Sequence, residues 1–435
     1  MRRILPAFVI AILCAGSLAA AEPASQSPTT PVTVVTNPQS PTSGIQEAID
    51  SLGPAGGIVT IPPGEYSLRR SIRIRSNITL QGSGEKTILR KVRQLGSKLA
   101  APAGKDDRSL RLENTTGFQS GDEIGTFDAN TVGWEHAHAI IKEVREHELL
   151  LDRRVSRAFD PSSGAAVINY FPAITGTGID HVVIKGLSID GQADANPGPA
   201  TVSQRGPGKP PELGFTFAAI NLVDVTNSNI EKCSVIGWPA DGISLQRGGH
   251  NHVARCGVEA CRGEGFHPGG GLHDCEFHEL ESCENLANGF YFCARVERVT
   301  VRFCRFFLNH KNGIGSLGDS GDTNNLVEYN NCLDNGHSGI QLWDGTSNTV
   351  QFNHCRNNSQ SAPGRYNGIS IAATTKSTIS NNHCFDDQPT KTQKHGIEET
   401  PNSSSNTITN NFCRDNLQAG LSLQGRDGQY TDNEK

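Results

Sequence analysis

Apolar positions along this chain fall in short β-branched runs broken by Gly or Asn, and no repeating unit carries an apolar stripe of helix length. The runs recur. One phrase with a central glycine reads DGI (241–243), EGF (264–266), NGF (288–290), NGI (312–314), SGI (338–340), NGI (367–369), HGI (395–397) and AGL (419–421). Its glycines, from Gly242 through Gly265, Gly289, Gly313, Gly339, Gly368 and Gly396 to Gly420, step by 23, 24, 24, 26, 29, 28 and 24 residues. A second phrase keeps pace: NLVEYNNC (325–332), NTVQFNHC (348–355), STISNNHC (377–384) and NTITNNFC (406–413). Each unit offers two or three short strands, too few to bury a core, so the units must stack. The steps are too short for propeller blades and lack the leucine pattern of horseshoe repeats. The pattern predicts an all-β fold, a single-stranded right-handed parallel β-helix of at least eight coils over residues 43–435.

Toward the N-terminus, GIQEAIDSLGPAGGIVTIPPGEYSL followed by SNITLQGSG resembles the entry segment of the pectate-lyase-like superfamily, which includes rhamnogalacturonase and epimerase relatives. The resemblance spans roughly residues 43–91 and 167–425. It implies a short N-terminal capping helix near 43–52, covering a β-helix end that would otherwise expose a sheet edge. Between the two spans, RSLRLENTTGFQSGDEIGTF and AIIKEVREHELLLDRRV alternate like a small antiparallel unit, read as an inserted β module at about 103–172. A Pro- and Gly-rich excursion at 190–213 reads as a loop over one face.

Stacking turns the repeat into a map, because equivalent residues of successive coils stand about 4.8 Å apart. The residue after each phrase glycine is apolar and faces the core, so the next faces outward. That outward column reads Ser244, His267, Tyr291, Gly315, Gln341, Ser370, Glu398 and Ser422. His267 and Tyr291 are thus expected side by side on one exposed face. Arg247 and Arg295 fall at the strand ends, Asp241 and Glu264 just before the glycines, and His310, Lys311, Asp319, Asp322, Trp343 and Asp344 in loops at the same height. Gly269, Gly270 and Gly271 keep the neighbouring wall low.

Composition adjusts this picture in three places. The opening MRRILPAFVIAILCAGSLAAAEP has two arginines, an apolar run and small residues at Ala19 to Ala21, the pattern of a secretory signal over 1–21 and too short for a membrane span. Ser, Thr and Pro over 22–42 read as a disordered linker, and the protein is expected to be secreted or periplasmic. Net charge is −6 with no dense basic run, which speaks against nucleic-acid binding; no membrane partner is expected either. Of the 12 cysteines one lies in the signal, leaving eleven, an odd number that cannot all pair. Cys233, Cys256, Cys283 and Cys304 are expected to share a column with Asn330, Asn353, Asn382 and Asn411, with Cys332, Cys355, Cys384 and Cys413 two residues later.

An imidazole, a phenol, guanidiniums and carboxylates on one face suit a uronate-containing polysaccharide. A cation neutralises the uronate carboxylate and acidifies the C5 proton, a base removes it, and an acid protonates the leaving oxygen or returns the proton to the opposite face. The first outcome is the β-elimination of a lyase; the second is C5 epimerisation. His267, Tyr291, Arg247, Arg295, Glu264 and Asp241 are the catalytic candidates. His310, Lys311, Trp343 and Asp344 are the substrate-binding candidates, and Asp319 and Asp322 in GDSGDT the candidate Ca²⁺ ligands. The resemblance does not extend to a reaction. The RxPxxRxG-like segment of pectate lyases is absent; GDSGDT and NGHSG only echo polygalacturonase motifs; EGFHPG is similar to the alginate epimerase phrase, with His267 where that family has Asp. A glycoside hydrolase using Asp241, Glu264 or the Asp319/Asp322 pair, and a non-catalytic carbohydrate-binding or adhesive β-helix, stand as alternatives.

Overall fold

Each coil of the chain lays down three short parallel strands, and the coils stack into a prism. The computed structural model describes residues 31–131, 136–198 and 215–434, so the signal segment 1–21 and most of the 190–213 loop lie outside the described residues. One face is an eleven-stranded parallel sheet that begins at Ile72–Arg73, passes through Ile243–Gly249, Phe266–Gly269, Phe290–Tyr291, Ile314–Leu317 and Ile340–Trp343, and ends at Ala419–Leu423. The other two faces merge into a larger parallel sheet, to which most coils contribute a pair of strands such as Leu326–Glu328 and Asn331–Leu333.

A single left-handed residue turns the corner between the paired strands. Tyr329, Phe352, Asn381 and Asn410 all have φ between 54° and 55°. That conformation costs a non-glycine residue about 1–2 kcal/mol, and the residue after it offsets the cost. Asn330 donates both its backbone N–H and its side-chain Nδ2 to Asn353 Oδ1, each at 3.0 Å; Asn353 does the same to Asn382, and Asn382 to Asn411. The asparagines recur because each amide satisfies backbone groups that the corner leaves inside.

Apolar columns fill the interior. Val327, Val350, Ile379 and Ile408 stack in one, Ile314, Ile340, Ile369 and Ile397 in another, and all are fully buried. Cys332, Cys355, Cys384 and Cys413 form a third, in register. The phrase glycine is needed because a Cβ on Gly313, Gly339 or Gly368 would stand 2.6–2.7 Å from the carbonyl oxygen of the next coil's phrase glycine, and 3.0 Å from the Cβ of Cys332, Cys355 or Cys384 respectively. All eleven cysteines among the described residues are free thiols. The sequence-based alignment misplaces Cys283, which pairs with Glu259 and Phe307; Leu280 occupies the position between Cys256 and Cys304, its backbone N–H donating to Cys304 Sγ.

Residues 31–42, expected as linker, are instead part of the fold. Val32–Thr33 pairs with Val59 and Thr60, and Val34 is buried against the core, so apolar content overrides the Pro/Thr-rich composition. Helix Ile45–Asp50 follows, burying Ile45, Ala48 and Ile49. A six-stranded antiparallel sheet with its own core around Leu110, Ile124, Leu149 and Val167 runs from Gly96–Lys98 to Ala166–Ile168. It starts ahead of residue 103 because Gly96–Lys98 pairs with Ala166–Ile168. Arg69–Asp122 and Arg73–Glu123 ion pairs bind it to the first coils.

Candidate active site

The eleven-stranded sheet carries the cluster. Register places Ser244 beside His267 and Phe266 beside Phe290, so His267 and Tyr291 are neighbours, with ring centroids 5.1 Å apart and planes at 89°. The same alternation brings Cys293, two residues beyond Tyr291, onto this face, where it bridges to Gly269. A side chain on Gly269 would meet Cys293 Cβ at 3.0 Å and Gln246 Oε1 at 2.7 Å, so the glycine leaves room for the thiol.

Behind the rings runs a ladder of side chains just before the phrase glycines. Asp241 Oδ1 accepts the Glu264 backbone N–H at 2.8 Å, Glu264 Oε2 accepts that of Asn288 at 2.6 Å, Asn288 Oδ1 that of Asn312 at 2.9 Å, and Asn312 Oδ1 that of Ser338 at 3.0 Å. Asn performs the structural task in the later coils. Acids in the two coils nearest His267 therefore add a charge that the ladder does not need. Asp241 Oδ2 lies 2.7 Å from His267 Nδ1, fixing the ring.

The face differs from the exposed surface expected. Only 8% of the His267 side chain and 2% of Asp241 are exposed, Ser244 and Gln246 are buried, and Tyr291 is half-buried. Neighbouring coils cause this: Gln246 Nε2 donates to Ser244 Oγ and to His267 O, both at 3.0 Å, and Tyr291 stands edge-on against the imidazole.

Burial then sets the protonation states. It disfavours a charged imidazole, but hydrogen bonds to Asp241 and Cys293, and the charge of Asp241, lift the His267 pKa to about 10. Burial raises Glu264 to about 7; Lys311 opposes this and Asp241 adds to it. Tyr291 is pushed well above its usual value by burial and then by Cys293 and Glu264. Near neutral pH the cluster holds an imidazolium, a carboxyl at its midpoint and an undissociated phenol.

The other expected residues divide. Lys311 belongs to the cluster through its charge on Glu264. Arg247 does not supply a substrate cation, because its guanidinium is clamped by Asp224 at 2.7 and 2.9 Å. Arg295 is exposed at a left-handed turn, its backbone N–H on Asp319 O. His310 lines a separate groove of about 440 Å³ with Leu308 and Gln360. Trp343 is 53% exposed two coils beyond Tyr291, about 10 Å along the sheet. Asp344 is an exposed left-handed turn residue just after that strand, its N–H on Ala372 O.

Asp319 and Asp322, the expected Ca²⁺ ligands, already engage protein groups. Asp322 is fully buried, with Oδ1 accepting the Val296 N–H at 2.7 Å and Oδ2 that of Gly318 at 3.0 Å, while Asp319 accepts from Ser320. Burial raises the Asp322 pKa to about 7. Its work is to lock the turn.

Sequence reasoning missed Cys293 and Gln246, whereas the column just before the glycines already held Asn288 and Asn312. Alternation from Tyr291 pointed to Cys293, but grouping the cysteines as one structural class hid it.

Residues 218–383 and 292–434 match the model of the right-handed β-helix region family. No curated protein matches the sequence. Among solved structures, the A-module of the Azotobacter vinelandii mannuronan C-5 epimerase AlgE6 is similar at 14% identity, with 90% of this chain and 94% of that one covered and a TM-score of 0.51. A Yersinia enterocolitica family 28 exopolygalacturonase gives 12% identity, 94% and 78% coverage and a TM-score of 0.53. The exopolygalacturonase of Thermotoga maritima gives 11%, 94%, 93% and 0.51. At these identities the likeness concerns the fold. Coil geometry, repeat and family match together show that the chain has the fold of the right-handed parallel β-helix proteins.

Proposed function

We propose that this protein is an exported carbohydrate-active enzyme that abstracts the C5 proton of a uronate unit in an acidic polysaccharide, giving β-elimination or C5 epimerisation. The observation that carries the reading is the cluster of His267, Glu264 and Tyr291, contributed by adjacent coils, with three protonation states suited to three tasks. The His267 imidazolium, held by Asp241, and Lys311 neutralise the uronate carboxylate and stabilise the charge that develops on proton loss. Glu264, poised near neutrality, takes the C5 proton. Tyr291 donates its phenolic proton, to the leaving O4 as the C4–O bond breaks or to C5 from the opposite face. Trp343 offers an exposed ring on which a neighbouring sugar stacks. Helix Ile45–Asp50 serves as the end cap and the six-stranded antiparallel sheet as an inserted module. Export follows from the signal-like segment 1–21; among the described residues no helix is long and apolar enough to cross a membrane.

Three solved neighbours, an epimerase of mannuronan and two exopolygalacturonases, are named for acidic polysaccharides, which supports the substrate class. The hydrolase alternative keeps Glu264 as its one poised carboxyl, because Asp241 is tied to His267 and the ladder and Asp322 to its turn, and it needs an opposed pair. Incubation with alginate, polygalacturonate and other uronate polymers tests the proposal. Ultraviolet absorbance of unsaturated ends, or a changed uronate composition by NMR, is the expected outcome. Reducing ends without absorbance would replace it by hydrolysis, and binding without any change would leave an adhesin.

A further inference from the structure

A second group of chemically capable side chains lies on the larger sheet, on a different face from His267. Strands His252–Ala254 and Glu276–His278 are parallel neighbours, with His252 opposite Glu276 and Ala254 opposite His278. Val253 and Phe277 point into the core, so His252, Glu276 and His278 project outward. The small Ala254 lets the His278 ring lean diagonally toward His252. The two Nε2 atoms meet at 2.6 Å with ring planes at 37°, and Glu276 Oε2 stands 3.8 Å from His252 Nε2. One ligand atom from each residue falls within 4.8 Å of the others.

From this geometry we infer that His252, Glu276 and His278 form a binding site for a divalent first-row transition ion of the zinc type, clipping two successive coils together. Two imidazole nitrogens and one carboxylate oxygen are a borderline-soft donor set suited to Zn²⁺ and its neighbours rather than to Ca²⁺ or Mg²⁺. Ligands about 2.0–2.1 Å from a tetrahedral ion stand roughly 3.3 Å apart. The imidazoles need part by only about 0.7 Å, and the carboxylate oxygen needs to close by about 0.5 Å, to reach that spacing. The surroundings orient the donors. Glu279 Oε1 lies 3.4 Å from His278 Nδ1, favouring the tautomer whose bare Nε2 faces the site, and Arg302 holds Glu276 Oε1, leaving Oε2 turned inward. The fourth position is left to solvent.

A neighbouring group, His250, His273 and Asp274, lacks this readiness. Arg298 grips both Asp274 oxygens at 2.6 and 2.8 Å, and His273 Nδ1 bonds to the same carboxylate at 2.8 Å. It serves as an internal control.

The competing account of the short contact is a hydrogen bond between two neutral imidazoles, which needs no ion. Isothermal titration of the full chain, purified without a polyhistidine tag and stripped with chelator, with ZnCl₂ separates the two. One ion per chain is expected, with affinity falling at least tenfold in His252→Ala, His278→Ala and Glu276→Gln but not in His273→Ala. Co²⁺ should give a visible d–d band that disappears in the same three variants. Zn²⁺ should raise the melting temperature of the wild type and not of His252→Ala, whose own melting temperature without metal reports that it has folded. Absence of saturable binding, or equal affinity in the wild type and both histidine variants, overturns the site.

Discussion

Replacing Asp241 by Asn is the sharpest test of the cluster, because the ladder itself shows what Asn does at that position. Asn288 and Asn312 each accept the next coil's backbone N–H through Oδ1, so the carboxamide of Asp241→Asn retains the bond to the Glu264 N–H and the coil should keep its shape. What changes lies on the other side of the group. Nδ2, a donor, then faces His267 Nδ1, which favours a neutral imidazole with its proton on Nε2. In the wild type the His267 pKa stands near 10 against 6.5 for the free side chain, a differential interaction on the order of 5 kcal/mol. Burial opposes the charge and only Cys293 still supports it once the carboxylate is gone, so the pKa should fall toward 6.5. The sign of the stability effect follows. A histidine whose folded pKa is raised contributes stabilisation that is fully present below pH 6.5 and is lost as pH rises from 6.5 through 10. Wild-type stability should therefore decline over that window, and the Asp241→Asn variant should decline much less. NMR titration of the His267 ring, with denaturation at about pH 6 and about pH 10, measures both. A His267 pKa still above about 8 in the variant would refute the assignment of the carboxylate as its cause. Turnover on a uronate polymer should fall at least a hundredfold.

Three further outcomes are expected. Tyr291→Phe should lower turnover about 10²–10⁴-fold while barely moving the melting temperature, since the lost hydroxyl is a proton donor on a half-buried ring; unchanged kinetics would remove it from the reaction. Glu264 has a raised folded pKa, so it weakens the fold as pH rises from about 4.5 to 7 and beyond; Glu264→Gln should be relatively more stable at pH 8 than at pH 4, by up to about 3 kcal/mol, and should lose the pH–rate limb near 7. Asn353→Ala removes the acceptor of two Asn330 bonds at 3.0 Å and leaves the buried Asn330 N–H unmet, which should cost about 2–4 kcal/mol in urea titration. A loss below about 0.5 kcal/mol would mean that the ladder does not stabilise the corner.

The repeat determined the architecture before any coordinates. Gly at each phrase centre, an apolar residue after it and Asn at the corner recur because every coil solves the same local problem, and parallel stacking repeats that solution one strand spacing on. Register follows from period, so the neighbouring of His267 and Tyr291 was legible, as was the column of Cys332, Cys355, Cys384 and Cys413. The period could also mislead: it set Cys283 where Leu280 stands, and composition assigned Val32 and Val34 to a linker although they pair with the first coil and bury there.

Tertiary structure alone decided what those columns experience. Whether an outward residue meets water depends on how far the side chains of adjacent coils lean across it, and no periodicity encodes that. Gln246 and Tyr291 close over His267, Asp224 captures Arg247, and backbone N–H groups occupy Asp322, although all three target residues looked equally available in one dimension. Desolvation and pairing act over a few ångströms in three dimensions, so the chain's period chose which groups stand together, and the folded surface chose their charge.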